Sequence, residues 1–311
     1  MFLKSEGYGA WNGVGTKANS PGDADVLILG IPFDGGAGGQ RGAAFAPGRV
    51  RSMTGRLKST SRRGDDLSSI RILDIGDVDV STFDAMKTFD AIECSCSAVL
   101  DGTDSTLVSI GGDHSVTHPI LKAVAKRGRT GVIWFDAHPD LLDTYHGFSF
   151  SHGSALRRAI ETTEIRPTDC LLVGTRAYEQ EEMPYIKRTG IHELPSDELL
   201  FDTGALERFR RGVEDISRRV DHLYVSVDVD VLDPSCAPGT GTPVAAGIPV
   251  SVLLKMIESL PISVRAFDIV EFAPSLDVSN ITIASVLGII GEIFANVHRE
   301  GKTSVTKGGA L

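Results

Sequence analysis

Short, nearly unbroken apolar runs recur along the chain, each closed by Gly, Asp or Pro. They occupy 25–30 (DVLILG), 72–75 (ILDI), 107–110 (LVSI), 131–135 (GVIWF), 171–174 (LLVG), 222–229 (HLYVSVDV) and 264–270 (VRAFDIV). Runs of this length without polar alternation predict strands buried on both faces. Between them, 115–126, 153–161, 203–219 and 249–259 carry apolar residues at helical spacing. The tract 281–297 is apolar but interrupted by Thr282, Ser285, Glu292 and Asn296, which predicts a buried helix rather than a membrane span. Strands alternating with helices give an α/β fold with a mostly parallel sheet. No repeat or linker divides the chain, so one domain is expected over 1–311. Its first 24 residues, rich in Gly, Ser and Asn, are expected to form an extended arm.

Composition narrows the partners. Against 31 Lys+Arg stand 41 Asp+Glu, a formal charge of −10 on 311 residues. A nucleic-acid binder needs a basic face to neutralise phosphates, and an anionic membrane surface attracts the same charge, so both partners are excluded as expectations. The start, MFLKSEGYGAWNG, has no apolar core of signal-peptide length. Cys94, Cys96, Cys170 and Cys236 are too few for a disulfide framework, and reduced thiols in the cytoplasm are expected. Glycines crowd 34–42 (DGGAGGQRG) without matching either common phosphate-loop pattern, so a tightly turned loop is the expectation there. Arg41 fits either support of a site or an interface.

Three segments hold ligand-type side chains at or just after strand ends: 111–115 (GGDHS), 136–140 (DAHPD) and 228–230 (DVD). Residues beyond the carboxyl ends of parallel strands converge on one crevice. His114, Asp136, His138, Asp140, Asp228 and Asp230 should meet there. On an extended segment i, i+2 and i+4 point to one side, so both D-x-H-x-D and D-x-D would present their ligands together. Carboxylates packed so closely repel unless a cation intervenes. Four Asp with two His suit an oxygen-preferring, imidazole-tolerant ion such as Mn²⁺, with Ni²⁺ not excluded, and Asp can bridge two ions roughly 3.5–4 Å apart. Asp113 is expected to orient ligands rather than bind metal. His118 is left unassigned, and His146 is expected near the mouth of the site.

These motifs, with SHGS at 151–154 and SVDVDVLDPSCAPGTGTP at 226–243, resemble the ureohydrolases, the arginase and agmatinase superfamily. GIPFD at 30–34 and RGAAFAPGRVR at 41–51 extend the resemblance towards the N-terminus. It implies a three-layer α/β/α fold, two Mn²⁺ per subunit and a homo-oligomer, trimer or hexamer. It implies that His114, Asp136, Asp140 and Asp228 bind one ion and Asp136, His138, Asp228 and Asp230 the other, with Asp136 and Asp228 shared. His152 then matches a proton shuttle, Glu271 the carboxylate that holds a guanidinium, and Thr242 a residue lining that site. A carboxylate can bind two guanidinium nitrogens at once, a metal pair lowers the pKa of water, and an imidazole can pass a proton to the leaving amine.

The segment 141–150 (LLDTYHGFSF) and the RRAIE that follows SHGSAL resemble agmatinases more than arginases, whereas Val244 stands where many agmatinase-like chains have Glu. Agmatine is therefore the leading substrate. Guanidinobutyrate, guanidinopropionate, arginine, guanidine and formiminoglutamate are its alternatives. A mononuclear zinc deacetylase would need fewer carboxylates, and a non-catalytic subunit on the same fold should have lost a ligand.

Overall fold

The computed structural model describes residues 3–4, 11, 13–261 and 264–308, with side chains described for 11, 13–261 and 264–299. Its strands are β1 (Leu3–Lys4), β2 (Thr16–Lys17), β3 (Val26–Gly30), β4 (Arg71–Val78), β5 (Thr106–Ile110), β6 (Thr130–Phe135), β7 (Cys170–Val173), β8 (His192–Leu194), β9 (His222–Asp228) and β10 (Val264–Val270). The helices are α1 (Ala46–Met53), α2 (Ala85–Leu100), α3 (Thr117–Ala125), α4 (Ala155–Thr162), α5 (Glu182–Thr189), α6 (Ser196–Phe201), α7 (Ala205–Ser217), α8 (Val250–Glu258) and α9 (Ile281–Gly308). The strands form one sheet in the order β1-β4-β3-β5-β10-β9-β6-β7-β8, with β2 also paired to β4. Every described pairing of these strands is parallel except β1 with β4.

Alternation along each strand sends side chains into two layers. Val26 and Ile28 of β3 join Phe267 of β10 against α7, α8 and α9, through Phe209, Leu253 and Phe294. Leu27 and Leu29 turn the other way, with Leu107 and Trp134, against α2, α3 and α4, through Phe89, Ile120 and Leu156. Truncating a buried ring such as Phe267 should cost about 3–5 kcal/mol. Local signals set the helix ends. Asp84 caps α2 by accepting the Lys87 N–H at 3.1 Å, and Gly190 ends α5 in the left-handed region at φ 76°. The part of α9 from Ile281 to Arg299 is long and apolar enough to cross a membrane. Here it is packed into the core, with Ile283, Val286, Ile290 and Ile293 buried. Near the N-terminus Trp11 is also buried, its ring 5.7 Å edge-on from Phe294 and its Nε1 donating to Asp74 at 3.0 Å.

The order β5-β10-β9-β6 places the carboxyl ends of four parallel strands side by side. All the predicted ligand segments leave from there.

Candidate active site

Each ligand segment turns sharply as it leaves its strand. Asp113 accepts the N–H of Ser115 at 2.9 Å, Asp136 that of His138 at 2.7 Å and Asp228 that of Asp230 at 2.8 Å. These are three Asx turns, in which a short acidic side chain replaces the backbone acceptor two residues on. The expectation of extended pleating is corrected here: β6 ends at Phe135 and β9 at Asp228, with Val229–Val231 a 3-10 turn. The i, i+2 spacing works because the first Asp of each pair folds the second residue back beside it. Asp140 and Glu271 have φ of 54° and 61°, left-handed for residues with a Cβ. Such backbone stores on the order of 1–3 kcal/mol and clusters where placement matters.

The six predicted ligands come together around Asp136. His114 Nδ1 lies 2.9 Å from Asp136 Oδ2, 3.0 Å from Asp140 Oδ2 and 3.3 Å from Asp228 Oδ2. On the other side, His138 Nδ1 lies 3.4 Å from Asp136 Oδ1 and 3.2 Å from Asp230 Oδ2. Asp136 thus gives one oxygen to each half.

The His114 ring is fixed from outside the cluster. Its Nε2 is 2.8 Å from Ser226 Oγ, and Ser226 donates its own hydrogen to Asp268 at 2.6 Å. Ser226 therefore accepts from Nε2–H, which leaves the Nδ1 lone pair aimed at the carboxylates. Trp134 stacks on the ring at 4.1 Å and donates Nε1–H to Asp136 at 3.1 Å. Thr117 and Tyr224 donate to the same Asp268, completing a polar enclave inside the sheet.

Charge in the cluster is unbalanced. Burial, with the Asp136 charge, pushes the Asp140 carboxyl up to about 7, and burial with Asp230 and Asp136 pushes Asp228 well above the carboxylate range. Burial opposes a charged ring at His138, but Asp230 and Asp136 outweigh it and push it up to about 12. His114 is likewise driven upward, against burial, by Asp136, Asp140 and Asp228. Protons would have to stand where positive charge is needed. Moreover, His114 Nδ1 and Asp140 Oδ2 are buried with no hydrogen-bond partner. Two orphaned lone-pair atoms facing each other across 3.0 Å are what a bound cation would satisfy. Among the described residues two groups have metal-binding spacing: His114, Asp136 and Asp228, and Asp136, His138 and Asp230. The donor set fits a pair of divalent cations.

Beside the cluster, Glu271 is buried just beyond β10. Its Oε1 accepts the His114 backbone N–H at 2.9 Å and faces His152 Nδ1 at 3.1 Å. Burial opposes charge on His152, but the Glu271 hydrogen bond and charge outweigh it and raise the ring to about 9. The Gly38 N–H pulls the other way, since it reaches His152 Nε2 at 3.0 Å and can donate only to an unprotonated nitrogen. Thr242 donates to Asp230 Oδ2 at 3.1 Å, which puts it on the His138 side.

A cavity of ≈190 Å³ opens onto these groups, lined by His138, Asp140, His152, Asp228 and Thr242 at its base. Tyr145, Tyr178, Glu179 and Glu182 line it as well. His146 is exposed with its ring against Tyr145, and His118 lies apart, between Phe89 and Phe150 in the core. Sequence reasoning missed three things. The Ser226–Asp268 enclave was hidden inside apolar runs. Arg176, in a plain loop, donates to the carbonyls of Gly174, Asp230, Val231, Leu232, Val244 and Ala245 and so braces the Asp230 and Thr242 segments together. The glycine segment reaches the site through its backbone, at His152, and its one legible sign was the density of glycine itself.

Comparison with known proteins agrees with this geometry. A family model described as the arginase family matches residues 24–295. The chain is 32% identical over 289 residues to proclavaminate amidinohydrolase of Streptomyces clavuligerus, covering 88% of this chain and 90% of that protein. To an agmatinase of Bacillus cereus it is 32% identical over 276 residues, covering 87% and 91%. In three dimensions it is similar to formimidoylglutamase from Bacillus subtilis, with a TM-score of 0.85 and 25% identity over 94% of this chain and 93% of the other. With the fold, the donor cluster and these matches in agreement over most of its length, the chain belongs to the arginase family, as a hydrolase of C–N bonds in linear amidines.

Proposed function

We propose that the chain hydrolyses a guanidino compound bearing a cationic tail, agmatine first, to urea and an amine. The observation that carries this choice is the lining of the cavity. Glu179 and Glu182 stand on its wall, and among its described lining residues none is Lys or Arg. A substrate ending in a carboxylate would find no Lys or Arg there to pair with, whereas an ammonium would find the Glu179 carboxyl and the faces of Tyr145 and Tyr178. Arg176 is no counter-example, because its donors are taken by carbonyls.

His114, Asp136, Asp140 and Asp228 would hold one divalent cation, and Asp136, His138, Asp228 and Asp230 the second. Manganese is the proposed metal, with nickel kept as an alternative by the same ligand types. Bound there, the pair supplies the positive charge that makes water a competent nucleophile near neutral pH. Glu271 orients the substrate. Its Oε1 is anchored by the His114 N–H, and a carboxylate keeps lone pairs for two further N–H donors of a guanidinium. His152, hydrogen-bonded to Glu271, holds the proton that the leaving amine requires. Thr242 keeps Asp230 turned towards His138.

The test is a panel of agmatine, guanidinobutyrate, guanidinopropionate, arginine, guanidine and formiminoglutamate, run with Mn²⁺ and with Ni²⁺. Urea is read for all but the last, which is read by formamide. Agmatine should give the highest kcat/KM. A carboxylate-tailed substrate in first place would overturn the tail assignment. No product from any compound, together with fewer than two metals per chain, would overturn the hydrolase reading of the site.

A further inference from the structure

The glycine segment 34–42 is tied to His152 at two points. The Gly36 carbonyl accepts the His152 backbone N–H at 3.1 Å, and the Gly38 N–H donates to His152 Nε2 at 3.0 Å. The turn between them is itself anchored: buried Asp113 takes the Gly36 N–H on Oδ2 at 2.7 Å, while its Oδ1 accepts both the N–H and the hydroxyl of Ser115. There is no room for a larger residue. A Cβ on Gly38 would lie 2.2 Å from the Tyr145 ring and 2.8 Å from His152 Nε2. Tyr145 sets its ring edge-on to His152 at 5.7 Å, while the imidazole still lines the cavity.

We infer that the Gly36–Gly38 turn, held by Asp113, is a positioning element that fixes both the orientation and the tautomer of His152. A neutral imidazole has one N–H and one lone pair. A donor fixed at Nε2 and a carboxylate at Nδ1 allow a single arrangement: Nδ1–H towards Glu271 and the Nε2 lone pair towards Gly38. The glycine-rich stretch thus acts on the side chain through its backbone, which is why no ligand-type residue marks it in the sequence. The kinetic side of this inference rests on the hydrolase reading above. The tautomer stands without it.

Gly38 lies on an exposed turn and an added methyl would press on the side chains of Tyr145 and His152 rather than on backbone, so Gly38→Ala should fold with those rings displaced. It should lower kcat by about 10²-fold, the scale of a small misplacement of a reacting group. KM should change by no more than about threefold, the mark of a residue that acts on the chemical step. Metal content should stay at the wild-type value. In a His152→Ala background the same change should cost nothing further, since its effect passes through that ring. An unchanged kcat, or a full cost that persists without His152, would overturn the inference. Independently of turnover, histidine-selective nitrogen NMR of the metal-free protein above pH 9, where the ring is neutral, with His152→Gln to assign the ring, should show a protonated Nδ1 and a bare Nε2. A protonated Nε2 in the neutral ring would overturn it even if every substrate in the panel failed.

Discussion

His114 and His138 face the same carboxylate from opposite sides, yet their surroundings differ. The His114 side chain is 1% exposed, stacked on Trp134 and hydrogen-bonded through Ser226 to Asp268. The His138 side chain is 31% exposed and lines the cavity, and its neighbour Asp230 is steadied by Thr242 and the Ala137 N–H. One half is completed by the fold. The other is completed at the mouth, where solvent and substrate arrive. The contrast teaches that a donor pair of similar composition can be rigid on one side and adaptable on the other, according to what supports it from behind.

The comparison can be broken outright at Asp136, which gives one carboxylate oxygen to each half. Asp136→Ala should remove both metals and lower turnover by at least about 10³-fold, the several kcal/mol that a bound divalent ion contributes. Metal analysis beside urea release checks it, and retention of one full equivalent would show that the halves are less connected than Asp136 implies.

It can also be broken on one side. Ser226→Ala leaves every proposed ligand in place but takes the acceptor from His114 Nε2–H. Metal affinity of the closed half should fall by about 10- to 100-fold, whereas the open half should bind as before. Stepwise chelation of the unaltered protein sharpens the same point: the ion on the His138 side should leave first. Equal loss from both halves of the Ser226→Ala chain would erase the distinction.

The smallest effect lies in the buried wall of the cavity, at Glu182. Burial pushes the Glu182 carboxyl up to about 7, against the N–H groups of Glu179 and Leu141 that it accepts. Folded chains then retain a proton that unfolded chains release near the ordinary glutamate value, 4.5. Stability of the metal-free protein from this group is present below that value and declines as pH rises to about 7. Glu182→Gln should flatten the change in denaturation midpoint across that window without altering metal content. A slope unchanged by the substitution would place the titration elsewhere.

Much of this was legible beforehand, for physical reasons. Strands buried on both faces must be apolar throughout, so β3, β5, β6, β7, β9 and β10 stand out as runs. Clustered Asp and His at strand ends are costly without a cation, so the six donors stand out as well. The two-residue strands β1 and β2 and the edge strand β8 carry too few residues to show a pattern. Ser226 and Asp268 look like interruptions of apolar runs, because their role depends on which strands are neighbours, and that order is not written locally. The spacing rule pointed to residues that the fold does bring together, but for an incomplete reason: pleating was expected, and Asx turns do the placing.

The position of β10 has a consequence for how the site comes into being. It is the tenth strand in the chain but lies in the middle of the sheet, between β5 and β9. Until residues 264–270 have been synthesised, the strand that delivers His114 has no neighbour on the side that leads to Asp136 and Asp228. A nascent chain therefore carries the two flanks of the cluster on separate pieces of sheet, unable to share an ion. The His114 side of the site would therefore be completed only once β10 is in place, whereas Asp136, His138, Asp228 and Asp230 already lie on the paired strands β6 and β9, so the two halves form at different stages of synthesis.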